Sequence, residues 1–284
     1  MHTGRVSALE LDQEKLRSEM ELTRTFRFTE AYQEFVSGKL SKDVMLWTPG
    51  GVSGDGIIAH YDQSLEPRIT EYGERLPYLM QTVEENFATE HIRFARLAVL
   101  SEMVHIPHRD YVEFAGAASQ ATPAHRLHLP IITNPSCLFS EDNTVYRMKV
   151  GEVWFLDASR EHGSAALSAE TRIHLIVDFT DEAGDTGLVR GAGEEPVSIP
   201  QSHLVHREPL SDEERAGLYS LASIVDRDNL KDVLGIIAKK HYRRDGGDGF
   251  FWNTVDALVE RIPDRELAKH VAGLREYFLL DRTE

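Results

Sequence analysis

The sequence predicts an all-β sandwich or barrel core followed by a small helical domain, and three observations predict it. Between about Arg93 and Thr180, short β-branched and aliphatic runs alternate with Pro, Gly, Asn and Asp: "IRFARLAVL", "RLHLPIIT", "TVYRMKV", "EVWFLDA" and "RIHLIVDFT". Many short strands with turn signals between them are the pattern of a β-sandwich or barrel. Next, "DEAGDTGLVRGAGEEPVSIPQ", residues 181–201, is rich in Gly, Pro and acidic residues without periodicity, and reads as a linker or surface excursion. Beyond it the hydrophobic period becomes helical. The expected divisions are 1–185 for the core with its amino-terminal helices, 186–210 for the linker and 211–284 for the helical domain.

In chain order, the amino-terminal part is mixed. A helix is expected from Asp12 to about Thr23, then a polar, turn-rich stretch around "TPGGVSGDG", then a second helix in "LPYLMQTVEENF". There Leu76, Leu79, Met80, Val83 and Phe87 fall at helical spacing. Among the strands, "RIHLIVDF" alternates strictly, with Arg172, His174, Ile176 and Asp178 on one face and Ile173, Leu175, Val177 and Phe179 on the other. "RLHLPII" places Arg126 and His128 together, and "FARLAVL" offers Arg96. In the tail, Ser211 and Glu214 form a capping box, each satisfying a free backbone N–H of a helix start. Leu230, Val233, Leu234 and Ile237 make one apolar stripe, and Phe251, Val255, Leu258, Val259 and Ile262 make another. Pro263 punctuates, and Leu267, Val271, Leu274 and Phe278 line a last helix. Such stripes pack cores, so residues 211–281 are expected to carry no chemistry of their own.

Composition narrows the function. With 41% hydrophobic and 27% charged residues, the chain of 284 is an ordinary globular protein able to bury a sizeable core. A net charge of −16 repels a phosphate backbone and an anionic membrane surface, which argues against nucleic-acid and membrane partners. "MHTGRVSALELDQEK" lacks the apolar stretch of a signal peptide and no run has the length of a membrane span, so a cytoplasmic protein is expected. The one cysteine, Cys137, leaves no internal disulfide and no cysteine-built zinc site, and "NPSCLFSED" reads as a turn before a strand rather than a nucleophile's setting. The oligomeric state is open, a homodimer included.

Three His-x-Asp/Glu triplets occur: His60 to Asp62, His108 to Asp110, and His206 to Glu208. Chance gives about two in a chain of this composition, so the motif alone means nothing and companions decide. On a strand, residues i and i+2 share a face about 6.6 Å apart, so a His-x-Asp pair presents an imidazole and a carboxylate to one ion. For His108 and Asp110 a third ligand is available in His162, just past the apolar strand "EVWFLDA". Two histidines and a carboxylate form the facial triad of non-haem Fe(II) oxygenases, with positions left open for cosubstrate and oxygen. Arg172 adds weight. A buried arginine facing a β-sandwich cavity needs an anion, and the distal carboxylate of a dicarboxylate cosubstrate suits its fork. His60 and His206 have no such company and read as surface residues. From the residues alone, a site for iron or another metal stands beside the bland reading of scattered polar side chains.

The stretches "GRVSALELDQEKL", "LPYL", "SEMVHIPHRDYVEF", "RLHLPI", "GEVWFLDASREHGSAALSAETRIHLIVDF" and "RDNLKDVLGIIAKKHY" together resemble the bacterial Fe(II)/2-oxoglutarate-dependent hydroxylases of free L-proline, in the aspartyl/asparaginyl β-hydroxylase-like group. The resemblance runs from near the amino terminus into the helical tail. It implies a double-stranded β-helix, or jelly roll, with a helical domain after it. It implies that His108, Asp110 and His162 bind the metal, that Arg172 holds the distal carboxylate of 2-oxoglutarate, and that His128 assists at the cosubstrate. Arg96 and Arg126 match arginines that hold the substrate carboxylate. The segment "YVEFAGAASQATPAH" is a few residues longer than in the proline hydroxylases and borders the substrate side, so L-pipecolate stands beside L-proline as the expected substrate.

The implied reaction consumes O2 and 2-oxoglutarate, with ascorbate as reductant, and hydroxylates ring carbon 3 or 4 of the imino acid. Asp157 or Asp178 is the expected partner of the ring ammonium. Asp110 argues against halogenation, which needs that ligand position free for halide. The rivals are a hydroxylase of an acyclic amino acid or of a peptide side chain, and a non-catalytic ligand-binding jelly roll.

Overall fold

The computed structural model of the chain describes residues 2–110, 123–180, 187–193 and 197–279. In chain order these form β1 (Gly4–Ala8), α1 (Gln13–Leu22), β2 (Val36–Pro49), β3 (Pro67–Ile69), α2 (Pro77–Asn86), β4 (Ile92–His105), β5 (Pro123–Ile132), β6 (Cys137–Glu141), β7 (Thr144–Tyr146), β8 (Glu152–Leu156), β9 (His162–Ala166) and β10 (Arg172–Thr180). Helices α3 (Asp212–Ser220), α4 (Leu230–Arg243), α5 (Phe250–Val259) and α6 (Arg265–Leu279) follow.

Strand β4 belongs to two layers. Its first part pairs with β10, from Phe179 opposite Ile92 to Arg172 opposite Leu100, and β10 leads on through β5 to β8 and β1. Its last part pairs with β9, through Met103 and Val104, and β9 leads on to β6 and β7. From β4 to β10 the chain therefore crosses repeatedly between two antiparallel layers, with β5, β8 and β10 in one and β6, β7 and β9 in the other, which is the winding of a jelly roll. The switch sits at Glu102, a non-glycine residue with φ of 48°. Gly38 of β2 lies against this bend with φ of 142°, where a Cβ would be 2.3 Å from the Glu102 carbonyl oxygen. Only glycine fits there.

Alternation then sorts the side chains. Ile173, Leu175, Val177 and Phe179 of β10 join Leu127 and Leu129 of β5 against Leu16, Met20, Leu79 and Val83 of α1 and α2. On the other flank, Val104, Leu138 and Ala165 meet Val233, Ile237, Trp252 and Val271 of the carboxy-terminal helices. Both outer faces are thus covered with apolar groups, and the polar alternates face the space between the layers. Ile237 is fully buried at 0% exposure. Ile237→Ala should cost about 2–5 kcal/mol of stability in chemical denaturation, because the cavity left in this interface cannot collapse completely.

Both amino-terminal helices expected from periodicity are present, the first capped by Asp12, which accepts from the backbone of Glu14 and Lys15. The Ser211–Glu214 capping box is formed in both directions. Strands β1, β2, β3, β6 and β9 are additions to the sequence reading. Residues 198–205 run along the sheet, with Arg5 N–H donating to Ser198 O, Val205 N–H to Val145 O, and buried His203 meeting Glu152 at 2.8 Å. Among the described residues no helix is long and apolar enough to cross a membrane.

Candidate metal centre

His108 and Asp110 follow directly on β4, and His162 opens β9. The two histidines are neighbours because their backbones form an isolated bridge, His108 N–H to His162 O at 3.0 Å and His162 N–H to His108 O at 2.9 Å. Asp110 N–H donates to Ala158 O at 2.8 Å, which brings the carboxylate in beside them. Each ring is also oriented. Nδ1 of His108 lies 2.7 Å from Ile106 O and Nδ1 of His162 lies 3.0 Å from Arg160 O. Both Nδ1 atoms then carry the proton, and both Nε2 atoms present a lone pair. Those Nε2 atoms lie 3.4 Å (His108) and 4.0 Å (His162) from Asp110 carboxylate oxygens. One ligand atom from each of the three residues falls within 4.8 Å of the others, a spread one cation can bridge.

Electrostatics favour the ligand forms. Burial and the neighbouring His108 pull the His162 imidazole down to about 4, so it is neutral near pH 7. Burial alone raises the Asp110 carboxyl, but Arg126 and His108 outweigh it and hold the group well below the usual carboxylate range. Neutral imidazoles and an ionised carboxylate are what a divalent cation requires.

A cavity of about 580 Å³ opens from this cluster between the layers. Arg96, Arg126, His128 and Arg172 all line it, as strand alternation predicts. Arg172 is 2% exposed, its guanidinium carbon is 4.6 Å from the Phe139 ring centre, and its Nε and Nη1 have no hydrogen-bond partner among the described residues. Burial lowers its guanidinium to about 10. Both ring nitrogens of buried His128 are likewise unpartnered among the described residues. Two unmatched polar side chains in one cavity are groups that a polar ligand could satisfy.

Arg96 and Arg126 are engaged with acids. Asp178, fully buried, receives Arg96 Nη1 at 2.9 Å and Arg126 Nε at 2.7 Å, while Arg126 Nη1 also donates to Asp110. Burial disfavours the Arg126 cation, but Asp178 and Asp110 more than compensate and raise its pKa. Neither acid expected to meet a ring ammonium is placed for it. Asp178 is enclosed by the two arginines, and Asp157 accepts from the Ser159 hydroxyl at 2.5 Å and does not line the cavity. His60 is exposed and pairs with Asp55 at 2.7 Å, away from the cluster.

Lining residues not singled out in the sequence include Asp43 of β2, Tyr32, Phe35 and Tyr277 of α6. Tyr32 holds a φ of 56°, and its hydroxyl accepts from Ile58 N–H at 2.8 Å. Phe35 packs 4.7 Å from the His108 ring and 4.9 Å from Phe278. The helical tail is therefore not without a part in the site: Tyr277 lines the cavity, and Phe278 O accepts from Arg109 N–H at 2.9 Å. The signal that would have found Asp43 is the alternation Ser41, Asp43, Met45, masked by the bend and polar start of β2. Most of the long segment after Asp110, including "GAASQAT", lies outside the described residues.

A family model described as Aspartyl/Asparaginyl beta-hydroxylase matches residues 10–182, and one described as L-proline 3-hydroxylase, C-terminal, matches residues 188–284. The chain is 31% identical over 280 residues to L-proline cis-3-hydroxylase 1 of Streptomyces sp., covering 98% of this chain and 94% of that one. It is 29% identical over 282 residues to the L-proline cis-4-hydroxylase of Rhizobium meliloti strain 1021, covering 98% and 96%. The first model spans the jelly roll with its triad and Arg172, the second the helical tail that carries Tyr277, and the relatives extend over both. The chain belongs to the aspartyl/asparaginyl β-hydroxylase family, in company with the L-proline cis-3-hydroxylases.

Proposed function

We propose that the chain hydroxylates ring carbon 3 or 4 of a free cyclic imino acid, L-proline or L-pipecolate, with Fe(II), O2 and 2-oxoglutarate. The observation that supports this most is the presence, in one cavity, of a metal-ready triad and a buried arginine with unpartnered nitrogens. His108 and His162 would bind Fe(II) through Nε2 and Asp110 through a carboxylate oxygen. Arg172 would take the distal carboxylate of 2-oxoglutarate, and His128 would assist at the cosubstrate. Together iron and 2-oxoglutarate supply the oxidising chemistry: O2 is consumed, 2-oxoglutarate becomes succinate and carbon dioxide, and a ring C–H becomes C–OH.

The protein's own part is orientation and exclusion of water. Arg96 turns one terminal nitrogen to Asp178 and keeps the other for the substrate carboxylate. Arg126 serves two acids: it donates to Asp110, which fixes that carboxylate, and through Nε to Asp178 at 2.7 Å, and it lines the cavity in which the substrate would sit. Arg126→Lys should therefore weaken Fe(II) by about 10- to 100-fold, as loss of a partner behind a metal ligand does, and impair turnover sharply. Unchanged Fe(II) affinity in the lysine variant would show that Asp110 does not depend on the planar fork.

The reading is tested by incubating purified protein with Fe(II), ascorbate and 2-oxoglutarate and following succinate release with L-proline, L-pipecolate, acyclic amino acids and a proline-containing peptide. NMR of the product gives the ring carbon. Turnover of a peptide or acyclic amino acid, but of neither imino acid, would overturn the substrate assignment while leaving the iron chemistry in place.

A further inference from the structure

Five charged side chains run in one row across the cavity wall. Asp43 Oδ1 lies 3.7 Å from Arg96 Nε, Arg96 Nη1 lies 2.9 Å from Asp178, Asp178 lies 2.7 Å from Arg126 Nε, and Arg126 touches Asp110. Four of the five are accounted for: Asp110 faces the two imidazoles, and Asp178 binds the two arginines together. Asp43 is different. Its side chain is 16% exposed, it lines the cavity, and among the described residues no donor hydrogen-bonds its carboxylate. The 3.7 Å contact with Arg96 is beyond a normal N–H···O bond.

A buried carboxylate in that setting carries a desolvation cost that a single distant guanidinium offsets poorly. Burial does raise the Asp43 carboxyl, against the pull of Arg96, Arg126 and Arg172. Of the other acids lining the cavity, Glu34 is exposed and Asp110 is the proposed ligand. The charges also balance with Asp43 ionised: Arg96, Arg126 and Arg172 stand against Asp43, Asp110 and Asp178. Fe(II) with doubly charged 2-oxoglutarate adds nothing net, and neither does a zwitterion. What a zwitterion adds is one cation and one anion held about 2.5 Å apart, nitrogen to carboxyl carbon. Arg96 beside Asp43, Nε to Oδ1 at 3.7 Å, offers the opposite pair side by side.

We infer that Asp43 receives the ring ammonium of the imino acid whose carboxylate sits on Arg96, so that the two side chains together recognise a free α-imino acid by both of its charges. The inference rests on the proposed substrate class and assigns the ammonium partner within it. It also gives a reason for selecting the free acid: a proline within a peptide has no ring cation for Asp43 to meet, and leaves that carboxylate unpaired.

The test compares ligands with and without the cation. Anaerobic protein loaded with Fe(II) and 2-oxoglutarate is titrated with L-proline, and with (S)-tetrahydrofuran-2-carboxylate, in which oxygen replaces the ring ammonium. The wild type and Asp43→Asn are followed by calorimetry and by the iron–keto-acid absorption band. Asp43→Asn keeps the shape of the residue, so the band itself should be unchanged. Expected is a loss of at least about thirty-fold in L-proline affinity, the lower end of what breaking a buried charge pair does, with the ether ligand unaffected or improved. Equal weakening of both ligands would mean that Asp43 acts only by steadying Arg96, and would overturn the inference. So would unaltered L-proline binding in the variant. Failure of the wild type to bind L-proline or L-pipecolate at all would instead remove the substrate reading, and this inference with it.

Discussion

His162→Ala is expected to abolish both Fe(II) binding and turnover, and His108→Ala and Asp110→Ala should do the same. The effect should go well beyond the roughly 10- to 100-fold that follows loss of a group behind a metal ligand, because each substitution removes one of only three protein donors. The local structure makes the three interdependent: the backbone bridge between His108 and His162 fixes one imidazole against the other, and Asp110 sits 3.4 Å from one Nε2 and 4.0 Å from the other. The measurement is anaerobic addition of Fe(II) and 2-oxoglutarate, which should give a visible charge-transfer band in the wild type and none in the variants. His60→Ala supplies the control. It belongs to the same sequence motif, but its ring is exposed on Asp55, so band and turnover should be those of the wild type. Full activity in the His162 variant would remove the triad assignment.

The face of each inward strand was legible in the sequence because a period of two leaves little freedom once one side must be apolar. Ile173, Leu175, Val177 and Phe179 could only be core, and that sent Arg172 and Asp178 inward with no further information. Pairing was not legible to the same degree. Strand β9, "HGSAA", has no β-branched residue, and it is a strand because β4 and β6 hold it on both sides. Strand β2 was hidden by its glycine and its charged, half-exposed start, features that serve the bend at Glu102 rather than a regular pleat. With β2 went Asp43. The engagement of Arg96 and Arg126 by Asp178 was hidden for another reason: alternation tells which side chains share a cavity, not which of them meet there. The tail's stripes were read correctly as packing, yet packing brings the end of α6 to the cavity as well, since Phe278 wedges against Phe35 beside His108.

Arg172→Ala should weaken 2-oxoglutarate by about 2–5 kcal/mol and change affinity for the amino-acid substrate much less. At 2% exposure, with Nε and Nη1 unpartnered among the described residues, the guanidinium lies over the Phe139 face, and a carboxylate reached by a planar fork is the partner that would complete it. Arg96, by contrast, already has Asp178, so it does not replace Arg172 when that cation is removed. A structural role would look different. If Arg172 served only to support Phe139 and the sheet, the alanine variant would lose thermal stability and turnover at every 2-oxoglutarate concentration, with KM for the cosubstrate unchanged. If it binds the distal carboxylate, KM for 2-oxoglutarate rises and saturating cosubstrate recovers part of the turnover. Arg172→Lys separates charge from shape: a compact ammonium keeps the attraction but cannot fill both donor directions, so its KM should fall between those of the wild type and the alanine variant. A KM for 2-oxoglutarate left at the wild-type value in Arg172→Ala would mean that another side chain holds the distal carboxylate, with His128, also buried and unpartnered, the first to be replaced next.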